Sequence, residues 1–435
     1  MSAAAQTRAA PPTRAEAFGV FLKIGLLSFG GPAAQIALMH RILVDERAWL
    51  TEQQFLNALS FCMLLPGPEA MQLATYAGWR LHGIRGGLVA GLLFVLPGAM
   101  VIAAIAALYM HYAQMPLLGT VFLGVQAAAV AIVLEALLRV AKRALRQRAH
   151  WTIAALAFVG IFLLSLPYPL IVLAAGLYGA VFLRRNADAQ MPPSSRAHSP
   201  RSGTSMARTA GTIAAGLVIW AAPLVLLAAL ARETILPMLG LFFSKLAVVT
   251  FGGAYAVLAY MAQDVVTGFG WLSAAEMMDG LGLAETTPGP LILVTQFVGM
   301  MAGFHAGGTA MGFAGGAVVL WATFAPCFLW IFAGAPYIEW MAAQPRLNAA
   351  LQAITAAVVG VILNLSLWFA LHVLFGAVTR ETYGPLTLWS PDPATFSLPA
   401  AALIALAALL LLRLHLGVVW TLVTCAGAAW GVGLF

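Results

Sequence analysis

Residues 86–112 and 308–334 contain no Asp, Glu, Lys or Arg. At about 1.5 Å per helical residue, either run exceeds a hydrocarbon layer roughly 30 Å thick. A soluble domain carries about 25% charged residues, whereas this chain carries 9% and is 62% hydrophobic, with a mean hydropathy of +0.93. So much apolar surface has no soluble core to hide in. The expected fold class is all-α, a polytopic membrane protein.

Apolar segments fall at 16–39, 52–77, 86–112, 116–138, 151–166, 167–183, 210–231, 235–263, 272–303, 308–334, 347–376, 397–412 and 416–434, which predicts 13 spans. The pair at 151–183, split by Pro167 and Pro169, reads as a tight helical hairpin. Residues 1–15 lack the apolar core of a signal peptide and form an N-terminal tail. Residues 184–209, rich in Ser, Pro and Arg, read as a disordered linker. Basic residues cluster between spans, at Arg139, Lys142, Arg143, Arg146 and Arg148, and again through the linker. Cytoplasmic loops collect such residues, so topology accounts for the net charge of +7 and no nucleic-acid partner is implied. The N-terminus is expected in the cytoplasm and the C-terminus in the periplasm. Cys62, Cys327 and Cys425 lie far apart in apolar stretches and signal neither a disulfide frame nor a metal site.

An internal repeat sets the architecture. VFLKIGLLSFGGPA (20–33) matches FFSKLAVVTFGGAY (242–255), with Lys23 paired to Lys245 at an offset of 245 − 23 = 222. The same offset pairs Met39 with Met261, Trp49-Leu50 with Trp271-Leu272, and Pro66-Gly67-Pro68 with Pro288-Gly289-Pro290. Seven spans separate the two starts, and an odd number inverts the second half. The expected division is a first repeat at 16–183 and an extra helix plus an inverted repeat at 210–435. Inverted repeats with broken helices are a common plan for secondary transporters, with the substrate between the repeats.

The breaks supply the candidate chemistry. Phe29-Gly30-Gly31-Pro32, Phe251-Gly252-Gly253 and the two Pro-Gly-Pro segments interrupt apolar spans. Free backbone groups inside a membrane are tolerated only against protein or a water-filled cavity. The N-termini of half-helices gather N–H donors and a positive dipole end, which suits an anion. Lys23 and Lys245 precede the glycine pairs, and a buried ammonium marks function. Glu69 follows the first Pro-Gly-Pro and Glu285 precedes the second, each expected to bond backbone at its break, pair with a lysine or carry a coupling proton. Ser28, Gln35, Gln72, Thr75, Thr250, Tyr255, Thr286, Thr287 and Gln296 are nearby hydrogen-bonding groups. No His/Cys spacing suits a metal, and no phosphate-loop ending follows the Gly-rich stretch 302–316. Without a catalytic dyad, cofactor motif or metal cluster, neither an enzyme nor a cofactor is expected.

Ser28-Phe29-Gly30-Gly31-Pro32 with Leu64-Leu65-Pro66-Gly67-Pro68-Glu69-Ala70, followed by Thr250-Phe251-Gly252-Gly253-Ala254-Tyr255 with Leu283-Ala284-Glu285-Thr286-Thr287-Pro288-Gly289-Pro290, resembles the chromate ion transporter family in its long two-domain form. The resemblance covers nearly the whole chain apart from the tail and the linker. It implies export of chromate across the bacterial inner membrane, with halves in opposite orientation. The second half has Ala254 where the first has Pro32. Sulfate, also a tetrahedral dianion, is the alternative substrate. The expected partners are the oxyanion and the lipid bilayer, and a homodimer is compatible with the sequence.

Overall fold

A computed structural model describes residues 12–113, 115–183, 206–251, 254–342 and 344–432. Residues 1–11 of the expected tail, residues 184–205 of the linker, and Gly252 and Gly253 lie outside the described residues. The chain is a helical membrane protein. Among the described residues five helices are long and apolar enough to cross a bilayer: Glu69–Tyr112, Gly119–Ala144, Met206–Leu230, Leu291–Tyr337 and Pro345–Leu374.

The first half opens with α1 (Arg14–Leu27) and α2 (Gly31–His40). These two do not form one straight span over 16–39. Arg47, just past the end of α2, is 3.0 Å from Glu16 at the start of α1, so the pair doubles back. Then come α3 (Glu52–Cys62) and α4 (Glu69–Tyr112). Helical geometry fails in α4 at His82 and Gly83 (φ 64°), and Gly78 packs directly against Gly86 and Ala90, so its arms form a hairpin. Phe61 of α3 meets Tyr76 on the first arm at 6.4 Å, so segment 52–77 also folds back on itself. The half closes with α5 (Pro116–Ala144), α6 (Arg148–Phe162) and α7 (Tyr168–Tyr178).

After α8 (Met206–Leu230), the second half repeats the plan with α9 (Leu236–Val249), α10 (Ala254–Gln263), α11 (Ala274–Glu285) and α12 (Val294–Gly334). Phe242 of α9 meets Phe269 and Trp271, beyond the end of α10, at 5.4 and 5.5 Å. In α12 the reversal is at Gly307 and Gly308 (φ 77°). His305, beside that turn, is 3.1 Å from Glu276 in the first turn of α11 and bonds the Trp271 carbonyl at 3.0 Å. Segments 235–263 and 272–303 are therefore two further doubled-back pairs. The capping boxes repeat as well. Thr51 with Gln54 starts α3, and Ser273 with Glu276 starts α11, again 222 residues apart (273 − 51 = 222). A short helix, α13 (Ile338–Ala342), leads to α14 (Pro345–Leu374), and α15 (Leu398–Ala408) and α16 (Val418–Val432) end the chain.

The second arms of α4 and α12 run antiparallel through the centre. Gly87 packs on Phe332, Gly91 on Phe328 and Gly312 on Met110. The turns at Gly83 and Gly308 consequently lie at opposite ends of the molecule. The halves are also interleaved. Gly360 of α14 lies against Ala154 and Phe158 of α6, and Gly179, following α7, against Ala349, Ala350 and Ala353. In return α5 packs on α15 and α16, with Gly124 against Cys425. Small residues let backbones approach where lipid offers no hydrophobic drive for association.

Beside the helices, the described residues include one small hairpin. β1 (Val378–Tyr383) pairs antiparallel with β2 (Leu386–Pro391) around a two-residue turn at Gly384 (φ 61°) and Pro385. Gly in the first central position of such a turn matches the twist of a hairpin, and β-branched and aromatic residues flank it. The hairpin rests on the α6–α7 turn, where Thr387 N–H donates to Leu163 O and Arg380 donates to Ser165.

Candidate functional site

The four breaks meet in two pairwise crossings. Gly289 N–H donates to the carbonyl of Ser28 at 2.8 Å, and Gly67 N–H donates to the carbonyl of Thr250 at 2.9 Å. Both bonds link a Pro-Gly-Pro segment of one half to the helix break of the other, and they interchange under the 222-residue offset. Gly67 (φ 121°) and Gly289 (φ 91°) adopt left-handed backbone that other residues disfavour. At each crossing a half-helix begins: α2 after Gly30 and Gly31, α4 after Pro68, and α12, through a short 3₁₀ turn, after Pro290. First-turn N–H groups have no partner within their own helix. Gly30 is exposed, and the space beside Gly31 is open to 4 Å.

Most of the expected side-chain donors are committed to backbone. Ser28 and Thr250 each donate a hydroxyl to the carbonyl four residues back, Ile24 and Leu246. Thr286 and Thr287 bond Leu283 and Ala284, and Thr75 bonds Met71. Gln72 donates to Pro66 O at 2.7 Å, and Gln296 to Ala99 O at 3.1 Å. These groups hold the breaks in shape, which leaves the first-turn backbone N–H groups as the remaining donors. Gln35 bonds both partners of one crossing, donating to Gly289 O at 2.7 Å and Ser28 O at 3.3 Å. Its repeat-equivalent is the buried Val257 (257 − 35 = 222), so the crossings are not chemically symmetric.

Lys23 and Lys245 are both exposed at the protein surface. Ser28 is fully buried, and five residues at about 100° each put Lys23 some 140° around α1 from it. Lys23 shares its open face with Leu26 and precedes the exposed Phe29 and Gly30. Lys245 stands 5.7 Å above the ring of Tyr260.

Two arginines missed by the sequence reading face the acids instead. Helix α5 continues through Ala144, so Arg139 and Arg143 are helical rather than part of a loop. Arg139 pairs with Glu135, and its charge also reaches Glu285. Glu285 is buried and accepts from Tyr255 Oη at 2.7 Å. The charge of Arg143 acts on Glu69. Helix α14 starts with Pro as α5 does (345 − 116 = 229), and at that offset Asn364, Trp368 and His372 replace Glu135, Arg139 and Arg143. The cationic helix belongs to one half only. A further group escaped notice inside an apolar run. Asp279 of α11 is 3% exposed and lines a cavity of about 590 Å³ with Tyr109, Gln126, Glu276 and His305. Among the described residues no three His, Cys, Asp or Glu side chains gather as a metal site.

A family model described as chromate transporter matches twice, over residues 15–180 and 238–432, leaving α8 between the matches. The chain is 35% identical to a chromate transport protein of Pseudomonas aeruginosa, over 82% of each chain.

This chain belongs to the chromate transporter family.

As a family member it is also 29% identical to a chromate transport protein of Cupriavidus metallidurans, over 79% of each chain. It is 26% identical to an uncharacterized transporter of Methanocaldococcus jannaschii, over 83% of this chain and 86% of that one. No solved structure matches this family member. The matched regions contain the breaks around Ser28, Gly67, Thr250 and Gly289.

Proposed function

We propose that this chain exports chromate across the bacterial plasma membrane as a secondary transporter, with the dianion passing the crossings of the four breaks. The observation that carries the reading is the reciprocal pair of bonds, Gly289 to Ser28 and Gly67 to Thr250. Each bond sets a half-helix break of one half beside a Pro-Gly-Pro segment of the other, and half-helix N-termini suit a tetrahedral anion stripped of water. Backbone donors at Gly30, Gly31 and the Pro-Gly-Pro segments are the ligands in this reading. Lys23, Lys245 and Arg139 supply the positive field.

The accompanying topology has nine crossings and four re-entrant pairs. The crossings are the second arms of α4 and α12, together with α5, α6, α7, α8, α14, α15 and α16. The re-entrant pairs are α1–α2, α3 with the first arm of α4, α9–α10, and α11 with the first arm of α12. The halves are inverted, the N-terminus is cytoplasmic and the C-terminus periplasmic. Arg80, Arg85, Arg146, Arg148, Arg346 and Arg413 then share the cytoplasmic face, as the loop-charge rule requires. A dianion leaving a cell that is negative inside gains about twice 2.3 kcal/mol per 100 mV. The membrane potential suffices as a driving force, and a proton would add to it.

The test is chromate uptake into everted vesicles. Uptake driven by an imposed potential and weakly inhibited by sulfate supports the reading. Sulfate uptake at equal rate would replace chromate with a broader oxyanion substrate. A homodimer would show in detergent as twice the 45.7 kDa of one chain plus bound detergent.

A further inference from the structure

Asp279 has no place in the crossings, yet its surroundings are built around its charge. Tyr109 Oη donates to Oδ2 at 2.7 Å, and Gln126 Nε2 donates to Oδ1 at 2.9 Å. Among the described residues no Lys or Arg lines the cavity it faces. The titratable groups facing it are Tyr109 from α4, Glu276 from its own helix and His305 beside the α12 turn, while α5 contributes the neutral Gln126. An ionised carboxylate that is almost wholly buried and has no cation bonded to it is costly, and binding a proton removes the charge. The Tyr109 hydroxyl can accept as well as donate, so the same three groups can hold the acid form.

The repeat provides a control within the molecule. At the 222-residue offset Glu276 and Asp279 correspond to Gln54 and Asn57 (276 − 54 = 279 − 57 = 222). The fold thus accepts amides of the same size at both positions. The second half differs from the first there in ionisability, at the end of the molecule where the 590 Å³ cavity opens. Helix α11 carries Asp279 in its middle and Glu285 at its last residue, and runs into the Pro288–Pro290 break that bonds Ser28.

We propose that Asp279 is the proton-binding carboxyl of a chromate/proton exchanger, loaded from the outer cavity and coupled to the anion through α11. This rests on the chromate-export reading. A proton from periplasmic water binds the carboxylate, and the same proton leaves to the cytoplasm in the half-cycle that returns the carrier. Its arrival neutralises a charge seated in α11 and biases the helix that forms one side of the crossing. The acidic lining also repels an exported dianion, which discourages its return.

The test uses the full chain in proteoliposomes, with chromate–chromate exchange measured at equal pH on both sides and net chromate flux measured under a pH gradient. A dye inside the vesicles reports proton movement. Wild type should show exchange, pH-driven flux and matching proton movement. Asp279→Asn should keep exchange near wild type but lose pH-driven flux and proton movement by about tenfold or more, within the usual range of coupling between two ligands. Asp279→Glu should keep both. Intact pH-driven flux in Asp279→Asn would overturn the assignment, and so would a sodium gradient driving flux where a pH gradient does not. If Asp279→Asn folds but loses exchange too, Asp279 serves the anion or the fold instead. Absence of chromate exchange in wild type would sink the export reading, and the proton assignment with it.

Discussion

The amide of Gly289 bonds the carbonyl of Ser28 at 2.8 Å, and the two residues come from opposite halves of a duplicated chain. Gly67 and Thr250 make the mirror contact at 2.9 Å. Each half therefore completes the break in the other, and damage at either glycine should be felt at both.

A methyl at Gly67 would stand 2.8 Å from both Cys327 Sγ and Gln72 Nε2, in a backbone conformation that L-residues avoid. Gly67→Ala should lower unfolding stability in detergent by about 1–3 kcal/mol and abolish chromate uptake. Gly289→Ala meets Leu293 and Phe94 O at the looser distance of 3.2 Å and should cost less stability. Unchanged melting of Gly67→Ala would mean the break is softer than its contacts imply.

The exposed lysines can be changed without disturbing packing. Lys23→Gln and Lys245→Gln should melt like wild type and yet slow chromate uptake by several-fold, with arginine restoring part of the rate because it keeps the charge. Wild-type uptake in both glutamine variants would reduce them to anchors at a membrane surface.

Arg139 differs, because its removal leaves Glu135 and the buried Glu285 without their cation. Arg139 and Glu135 are both partly exposed, so Arg139→Gln should destabilise the chain by only about 1 kcal/mol. Glu135→Gln combined with Arg139→Gln should recover part of the loss. A double variant no better than Arg139→Gln alone would show that the pair does not act as a unit.

His40, at the loop end of α2, titrates above its ordinary value, because Glu52 accepts from it at 2.6 Å and Asp45 adds a second negative charge. A raised folded-state value contributes stability that is fully present below the unfolded value near 6.5. That contribution is lost as pH rises through the folded value. Solvent limits it to about 1 kcal/mol or less. The melting temperature should fall slightly between acidic and alkaline buffer in wild type, and His40→Gln should flatten that part of the profile.

The re-entrant pairs have a direct chemical signature. In a cysteine-free background, Asp45→Cys should be labelled only from the cytoplasm, and Gly268→Cys only from the periplasm. Straight spans at 16–39 and 235–263 would reverse both results.

The duplicated motifs, their register and the α6–α7 hairpin were all legible in the sequence. The reversals were not, because a chain that turns back inside a membrane leaves no polar loop to mark the turn. Glycine and proline at Gly30–Pro32 or Pro66–Pro68 report a break without reporting its direction. Each doubled-back pair was read as one span, and the two pairs in each half together make an even number, so the expected sides of the remaining loops agree with the proposed topology. Arg139 was misread because charge outweighed helical continuity, and Asp279 because one acid hardly disturbs a hydropathy average. Gln35 could not have been matched to Gly289 from the motifs alone, since its repeat-equivalent is Val257.

The interleaving of α6 and α7 with α14 bears on biogenesis. The last residue of the α7 region, Leu183, is synthesised 345 − 183 = 162 residues before α14 begins at Pro345. At 5–20 residues per second, the α6–α7 hairpin waits on the order of 10–30 s in the bilayer before its main partner is made. Its glycine-lined faces at Gly176 and Gly179 stand open to lipid meanwhile. Truncation anywhere before residue 374 should therefore yield an orphaned hairpin that membrane quality control removes, whereas the two halves made together from separate messages should rescue each other.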